Sequence, residues 1–395
     1  MGYLKTKIIF EENGNSRTYY NFNKVTTKMD FQPTNNKAEI VFNDVNQFYS
    51  NGVFNIKENT KVIIYAKIVE YNESVEFTND DIIFTGLFLE ESKDLSTDSI
   101  GLKMSIVDFG YQVFNRMFNK TYLDLGLRTN EILIDMLQNK SEMQNGIGDF
   151  ELNFDNVSTK RPDSSSFPII EPTFTKQPLI DVVKELSSTQ WTNTDTEINT
   201  NSRVCAKQMI FRIDDIYVKW YYPTEEYVLE INDTLCFSDI KENLNKEGSV
   251  NFLILECGED LEGNVFTTYI YDEKSGDSPN ITEQYQTYIK LAGRNEDYDN
   301  EYNVARAKYI ALSDNSGFKN YIRKLAETYS EVWFENKRAT TTISITLPLQ
   351  QFNIGDFVKM NLPNYDNATY SIESVSNSIS EKDATTTLQL KKVIN

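Results

Sequence analysis

The chain has 395 residues, 39 Lys+Arg against 59 Asp+Glu, a net charge of −20 and no histidine. The missing histidine removes Ser-His-Asp and Cys-His catalysis, along with His-liganded zinc or iron. The acidic balance argues against wrapping a nucleic acid, which needs a basic face. The 24 Phe, 23 Tyr and 3 Trp give a chain of this length enough apolar bulk for several cores.

The first ~110 residues read as strands, at 3–10, 18–27, 38–42, 61–70, 82–92 and 101–107. Val62, Ile64, Ala66 and Ile68 form one face of one of them. Polar clusters at 11–16 and 55–60 separate the runs. Short strands with regular turns point to a small sandwich or barrel. The period then changes. Thr129 is placed to cap a helix, with Glu131 in the first turn and Ile132, Leu133, Met136 and Leu137 following at helical spacing. After a polar loop at 160–178, Thr175 is placed to cap a second helix. Pro178 would sit in its first turn, and Leu179, Val182, Val183 and Leu186 form an apolar stripe.

Strands return at 208–213, 216–222, 227–231, 249–257 and 266–272, with a hairpin turn at 258–264. A second helical block follows. Phe318, Tyr321, Ile322, Leu325 and Tyr329 share one face, and Tyr302, Ala305 and Tyr309 another. The residues from Thr340 to Val393 are strands again.

The end of the chain echoes its beginning. Phe54-Asn55-Ile56 precedes the strand at 61–70, and Phe352-Asn353-Ile354 precedes one at 356–361. Residues 84–108 can be laid on 369–393 without a gap, and both segments read strand, polar tip, strand. That is a long hairpin with a projecting tip. The expectation is two copies of one small β module, with helices and further strands inserted between them. A two-copy chain closing as a ring of three would present six similar modules. The last block alone offers about four strands, few for a closed barrel, so it is expected to borrow from residues 204–272.

Enzyme chemistry finds little support. Asp214-Asp215, Glu225-Glu226, Asp80-Asp81 and Glu90-Glu91 are adjacent carboxylates, and neighbours on a strand point to opposite faces, so none is a glycosidase dyad. A dyad of carboxylates distant in sequence is the route left open. The loop at 295–300 lacks the glycine and closing glutamate of an EF-hand, and Gly258-x-x-x-x-Gly263 is followed by Asn264 and Val265 rather than Lys and Ser/Thr. Cys205, Cys236 and Cys257 are widely spaced and form no C-x-x-C, so they read as small buried residues. No apolar run reaches 18 residues, so no membrane-spanning segment is expected, and the N-terminal residues have no signal-peptide core.

Residues 352–393 resemble the C-terminal region of baseplate hub proteins of bacteriophage tails and related contractile injection machines, including the late-control-D-like family. The resemblance rests on Gly355-Asp356-Phe357-Val358, then Tyr370-x-Ile372-x-x-Val375, then the Thr-rich strand at 385–390. A commoner form of the family has histidine where this chain has Asn377. Residues 302–333 look like the family's helical pair, 251–272 its central strands, and Ile83-Phe84-Thr85-Gly86 the end of a strand in its first tube-like barrel.

The resemblance implies a mixed α+β, β-rich fold with two tail-tube-like β-barrel modules and an inserted α/β middle region. The implied division is a first barrel at 1–112, a helical and loop insertion at 113–202, a β-rich segment at 203–280 belonging to the middle domain or the second barrel, a helical segment at 281–339, and the second barrel at 340–395. It also implies a structural virion protein of the tail baseplate, made in the host cytoplasm, with no enzymatic activity and no cofactor or metal. Three copies would form a pseudo-hexameric ring joining the tail tube to a central spike or tip protein and enclosing the ejection channel. Tape measure and surrounding baseplate proteins are further expected partners. DNA would pass without specific binding, and an acidic lining would keep it sliding, although the same charge also suits a solvated surface. The hairpin tips expected to reach neighbouring subunits carry Ser92, Lys93, Asp94, Ser96, Thr97 and Asp98 in the first hairpin and Glu381, Lys382 and Asp383 in the second. Two rival readings remain: a glycan-binding tail-tip adhesin, and a cell-wall or polysaccharide hydrolase.

Overall fold

A computed structural model describes residues 3–12, 14–20, 22–30, 36–42, 56–58, 60–69, 76–95, 100–111, 116–138, 152–161, 166–187, 191–193, 203–205, 209–214, 217–222, 227–232, 238–245, 250–272, 286–293, 296–337, 340–362, 368–380 and 383–393. The N-terminal strands are β1 (Tyr3–Glu12), β2 (Asn15–Tyr19), β3 (Lys24–Asp30), β4 (Lys37–Phe42), β5 (Lys61–Val69), β6 (Ile82–Leu95) and β7 (Ile100–Val107). The middle of the chain holds β8 (Met117–Thr121), α1 (Thr129–Gln138), β9 (Asn153–Val157), β10 (Thr173–Pro178), α2 (Leu179–Ser187), β11 (Trp191–Asn193), β12 (Arg203–Cys205), β13 (Ile210–Asp214) and β14 (Tyr217–Tyr221). Next come β15 (Tyr227–Ile231) and β16 (Ser238–Asn245). They are followed by β17 (Phe252–Glu259), β18 (Val265–Tyr271), β19 (Gln286–Lys290), α3 (Glu296–Leu312) and α4 (Asn315–Lys337). The C-terminal strands are β20 (Thr340–Pro348), β21 (Phe357–Met360), β22 (Ala368–Ser380) and β23 (Ala384–Lys392). The protein is therefore β-rich α+β.

Strands from both chain ends run into one thirteen-stranded sheet among the described residues, in the order β16-β20-β23-β22-β3-β4-β7-β6-β5-β1-β2, with β21 on β22 and β15 on β21. No sheet closes on itself among the described residues. Each half of this sheet buries its own apolar side chains. Ile8, Phe10, Val25, Ile40, Val62, Ile64, Met104 and Ile106 form the N-terminal core, and Ile343, Ile345, Val358, Ile372, Leu388 and Leu390 the C-terminal one. Each such side chain stabilises by about 1.5–3 kcal/mol relative to exposure. Alternation builds part of these faces, as in β21, where Val358 and Met360 are buried between half-buried neighbours, whereas β5 is buried continuously from Val62 to Ala66.

The chain repeats a five-strand ladder. The order β3-β4-β7-β6-β5 recurs as β16-β20-β23-β22-β21, antiparallel throughout. Phe88 pairs with Ile106 as Ile372 pairs with Leu390, and equivalent residues stand 284 apart. Both hairpins skip one residue at the same point, Leu89 in β6 and Glu373 in β22, and both close over Leu95↔Ile100 and Ile379↔Ala384. The same frame sets Ala38 and Ile40 on Ile343 and Ile345, and Val62 and Ile64 on Val358 and Met360, all of them buried. The gapless alignment expected from sequence, Phe84 on Thr369, is one residue out of this register. The copies diverge beyond the ladder: β1 joins β5 antiparallel, whereas β15 joins β21 parallel.

Two further cores lie between the ladders. In the first, α1 and α2 set Ile132, Leu133, Met136, Leu137, Leu179, Val182, Val183 and Leu186 against Phe118, Phe174, Phe211, Val218 and Trp220. In the second, α3 and α4 cover the sheet β18-β17-β19 with Tyr298, Tyr302, Phe318, Ile322, Leu325 and Tyr329 over Leu253, Leu255 and Cys257. Residues 203–280 thus contribute to four places among the described residues: β12 to a two-stranded sheet with β11, β13 and β14 to the middle core, β15 and β16 to the large sheet, β17 and β18 to the helix-covered sheet.

Local details differ from the sequence reading. The expected strand at 18–27 is two strands. β2 pairs with β1, while β3 pairs with β4 and β22. Thr129 lies within α1 rather than capping it, its buried hydroxyl 3.3 Å from the Pro168 carbonyl. The Glu131 carboxylate accepts the Arg128 amide at 2.8 Å instead. Pro178 ends β10, paired opposite Met117, and α2 starts after it, so Thr175 does not cap that helix. Asp314 caps α4 by accepting the Gly317 amide at 2.8 Å.

Candidate functional site

The features best able to bind a partner are strand edges and one aromatic face. β22 is thirteen residues long and serves three neighbours. One edge pairs with β23; the other pairs first with β21, over Ala368–Ser371, and then with β3, over Ser374–Ser380. The outer half of the C-terminal hairpin is therefore bound within the chain.

A polar network fixes this seam. Asn377 Nδ2 donates to Thr27 Oγ1 at 3.1 Å, Thr386 Oγ1 donates to Asn377 Oδ1 at 2.8 Å, and the Gln350 amide donates to Thr386 Oγ1 at 3.0 Å. Thr27, Asn377 and Thr386 are buried. A buried amide left unpaired costs about 1–3 kcal/mol, so a slipped register is penalised twice, by lost hydrogen bonds and by turning apolar side chains outward. At the other end of β3, the Asp30 amide donates to Asn36 Oδ1 and Asn36 Nδ2 to Asp108 Oδ2, each at 2.8 Å. This ties β3 to the exit of β7.

Ser92, Lys93 and Asp94 lie in β6, paired at backbone level with Lys103, Leu102 and Gly101. Their edge away from β7 has no strand partner among the described residues, because β5 covers only Ile82–Leu87. Ser96, Thr97, Asp98, Glu381 and Lys382 lie outside the described residues. Asp383 is exposed, and its carbonyl accepts the Ser380 amide at 2.8 Å in the turn of the second hairpin. The sequence reading did not single out β16. Its Lys241, Glu242 and Asn243 are exposed, and it pairs only with β20 among the described residues.

Of the carboxylates considered for catalysis, Asp80 and Glu90 are exposed on the surface, and Asp81 has local partners. Burial alone would raise the Asp81 carboxyl. The Thr78 amide at 2.7 Å and the Lys67 ammonium at 3.2 Å outweigh it and hold the group below its ordinary range. Asp215, Glu225 and Glu226 lie outside the described residues, as do the side chains of Glu91 and Asp214. Asp260 accepts the Glu262 and Asn264 amides at 2.9 Å and pairs with Lys319 at 2.7 Å, which holds it well below the usual range and closes the β17–β18 turn. Asp299, raised by burial, accepts the Gly293 amide. Among the described residues no cluster of acidic and cysteine side chains could hold a metal. Burial pushes the Cys257 thiol up to about 12, so it is an inert core residue, while Cys205 and Cys236 have no described side chains.

The sheet β18-β17-β19 buries one face under α3 and α4 and leaves the other open. Across it Tyr269, Ile254 and Tyr288 stand in one row and Tyr271, Phe252 and Gln286 in the next. Tyr269 is 66% exposed and Tyr288 57%. The Tyr288 hydroxyl donates to Glu256, which also pairs with Lys290 at 3.2 Å. No described helix is long and apolar enough to cross a membrane.

No family model and no curated protein matches the chain. Solved structures do. A tail protein from Neisseria meningitidis MC58 is similar over 98% of this chain and 96% of its own, at 10% identity and a TM-score of 0.56. The 43 kDa tail protein of prophage MuSo2 from Shewanella oneidensis is similar over 97% of both chains, at 8% identity and a TM-score of 0.56. A chain of the Francisella PdpA-VgrG complex is similar over 99% of this chain and 58% of its own, at 11% identity and a TM-score of 0.51. The chain has the fold of these two tail proteins.

Proposed function

We propose that the chain is the hub subunit of a phage-type tail baseplate. Three copies form a pseudo-hexameric ring that continues the tail tube, holds a central spike or tip protein and encloses the ejection channel. The observation that carries this reading is the repeated five-strand ladder, built twice in one chain and joined edge to edge through β3 and β22. A chain with two equivalent modules side by side supplies six positions from three copies, which is what a threefold-to-sixfold adaptor needs. In this reading each ladder curls around its own core as a tube-like barrel, one at residues 1–112 and one completed by 340–395. The middle segments 113–202, 203–280 and 281–339 face the tip protein, and acidic side chains line the channel. The similarity to two tail proteins along nearly the whole chain supports it.

The test is the mass of the purified protein, with two-dimensional class averages of the particles. A mass about three times that of one chain and a ring in projection are expected; a monomer at all concentrations overturns the reading. Removing both hairpin tips is expected to weaken trimer formation and tube attachment. Normal affinity without the tips would remove them from the interface.

One observation favours a second reading. The open row of Tyr269 and Tyr288 with Tyr271 beside it is the kind of aromatic surface on which a sugar ring stacks, as in a tail-tip adhesin. Binding of host polysaccharide by isolated monomers, abolished by Tyr269→Ala, would support that reading against the hub.

A further inference from the structure

The ladder repeat leaves two unmatched edges that are counterparts of a pair already matched. Within the chain, the outer edge of β3 pairs with the distal half of β22 from Val25↔Ile379 to Asp30↔Ser374. In the repeat, β3 corresponds to β16, because Val25 pairs with Ile40 as Ile240 pairs with Ile345. The distal half of β22 corresponds to that of β6, because Ile379↔Ala384 corresponds to Leu95↔Ile100. Among the described residues the outer edge of β16 and the distal edge of β6 carry no strand.

We propose that these two edges bind each other between copies: β16 of one chain adds antiparallel to the distal half of β6 of the next, in the register of the internal seam. The repeat fixes that register. Val25↔Ile379 becomes Ile240↔Leu95, Thr26↔Ser378 becomes Lys241↔Asp94, Thr27↔Asn377 becomes Glu242↔Lys93, and Lys28↔Ser376 becomes Asn243↔Ser92. Four of the six positions are chemically matched: an apolar pair where the seam buries Val25 and Ile379, two adjacent pairs of opposite charge, and a polar pair; the last two set Leu244 opposite Glu91 and Asn245 opposite Glu90. A one-residue slip sets Lys241 opposite Lys93, or Glu242 opposite Asp94, and like charges directly opposite are destabilising. The occupant is a second copy of this chain, since each copy carries both edges and the repeat relates them as β3 is related to the distal half of β22. Such a contact is head-to-tail, so it extends until rotation closes a ring. It also removes two exposed strand edges that would otherwise template aggregation.

The proposal rests on the ring reading, and two measurements separate them. Glu242→Lys and Lys93→Glu, each alone, are expected to weaken self-association about tenfold, and the two together to restore it to within about threefold. Circular dichroism checks that each variant folds. In a second arm, a chain carrying Glu242→Cys with Lys93→Cys is oxidised, and covalent oligomers are expected on a non-reducing gel. The parent chain, and a chain with Glu242→Cys and Asp94→Cys, serve as controls. Self-association with no cross-link and no response to the charge swap overturns the pairing and leaves the ring. A monomer by mass at all concentrations overturns both.

Discussion

Asn377 donates a hydrogen bond to Thr27 across 350 residues of sequence, and both side chains are buried. The contact reinforces the seam at which β3 and β22 join the two repeated ladders into one sheet, and its third member, Thr386, sits on the far side of β22. Replacing Thr386 by valine keeps the shape and removes both the donor to Asn377 and the acceptor for the Gln350 amide. The expected loss is about 1–3 kcal/mol, read as a lower urea midpoint. An unchanged midpoint would mean that the seam holds by backbone pairing alone.

Gly86 lies on β6 where a Cβ atom would stand 2.3 Å from the Val107 carbonyl and 2.8 Å from the Phe84 ring. The clash is with backbone, so it cannot be relieved by a rotamer change. Gly86→Ala is expected to destabilise by about 1–3 kcal/mol through overpacking, measurable as a fall in Tm. The equivalent position in the second ladder is Tyr370, so the same substitution there is a large-to-small change with a different signature.

Trp220 is fully buried in the middle core, and its indole donates to Ser187 Oγ at 3.0 Å. Trp220→Ala should cost about 3–5 kcal/mol. Trp220→Phe should cost less while leaving Ser187 without that donor. Urea titration of both variants orders them, and equal losses would place the stability in the hydrogen bond rather than in packing.

The Asp81 carboxyl is depressed below its ordinary value of 3.8, so its contribution to stability is present above that value and is lost as pH falls through the depressed one. Asp81→Asn should therefore lower stability near neutrality, by no more than about 1 kcal/mol because the ion pair with Lys67 is near water. The gap between variant and parent should close in acid. A gap of the same size at low pH would assign the effect to packing instead of charge.

Much of this fold was legible in the residues. The stripes of α1 and α2, the helix face from Phe318 to Tyr329 and the two long hairpins follow from period alone, because one buried face dictates the spacing. The register of the repeat did not. Gly86, Leu87 and Phe88 are buried in succession, so alternation across this stretch of β6 accepts either parity, and the bulge at Leu89 then changes it. The shortage of strands at the C-terminus was visible, but the identity of the donors β15 and β16 depends on pairing far along the chain, as between Asn245 and Thr340 or Ile231 and Met360, which local pattern does not encode. Of the two edges in the proposed pairing, the residues singled out from sequence lie on one. The β6 tip is polar and conspicuous, whereas β16 looks like an ordinary charged strand until its counterpart, β3, is seen paired.

The long separation across the seam also sets a timetable during translation. The first ladder and the middle core are complete in sequence once Tyr221 has been made, but the outer edge of β3 must wait for β22. At ribosomal speeds that wait is roughly 10–30 s. For that interval each nascent chain presents an open strand, and on a crowded messenger the first finished β22 to arrive can belong to a neighbour. Spacing between ribosomes, or a chaperone that covers β3, then becomes a determinant of yield as real as any side chain in the folded protein.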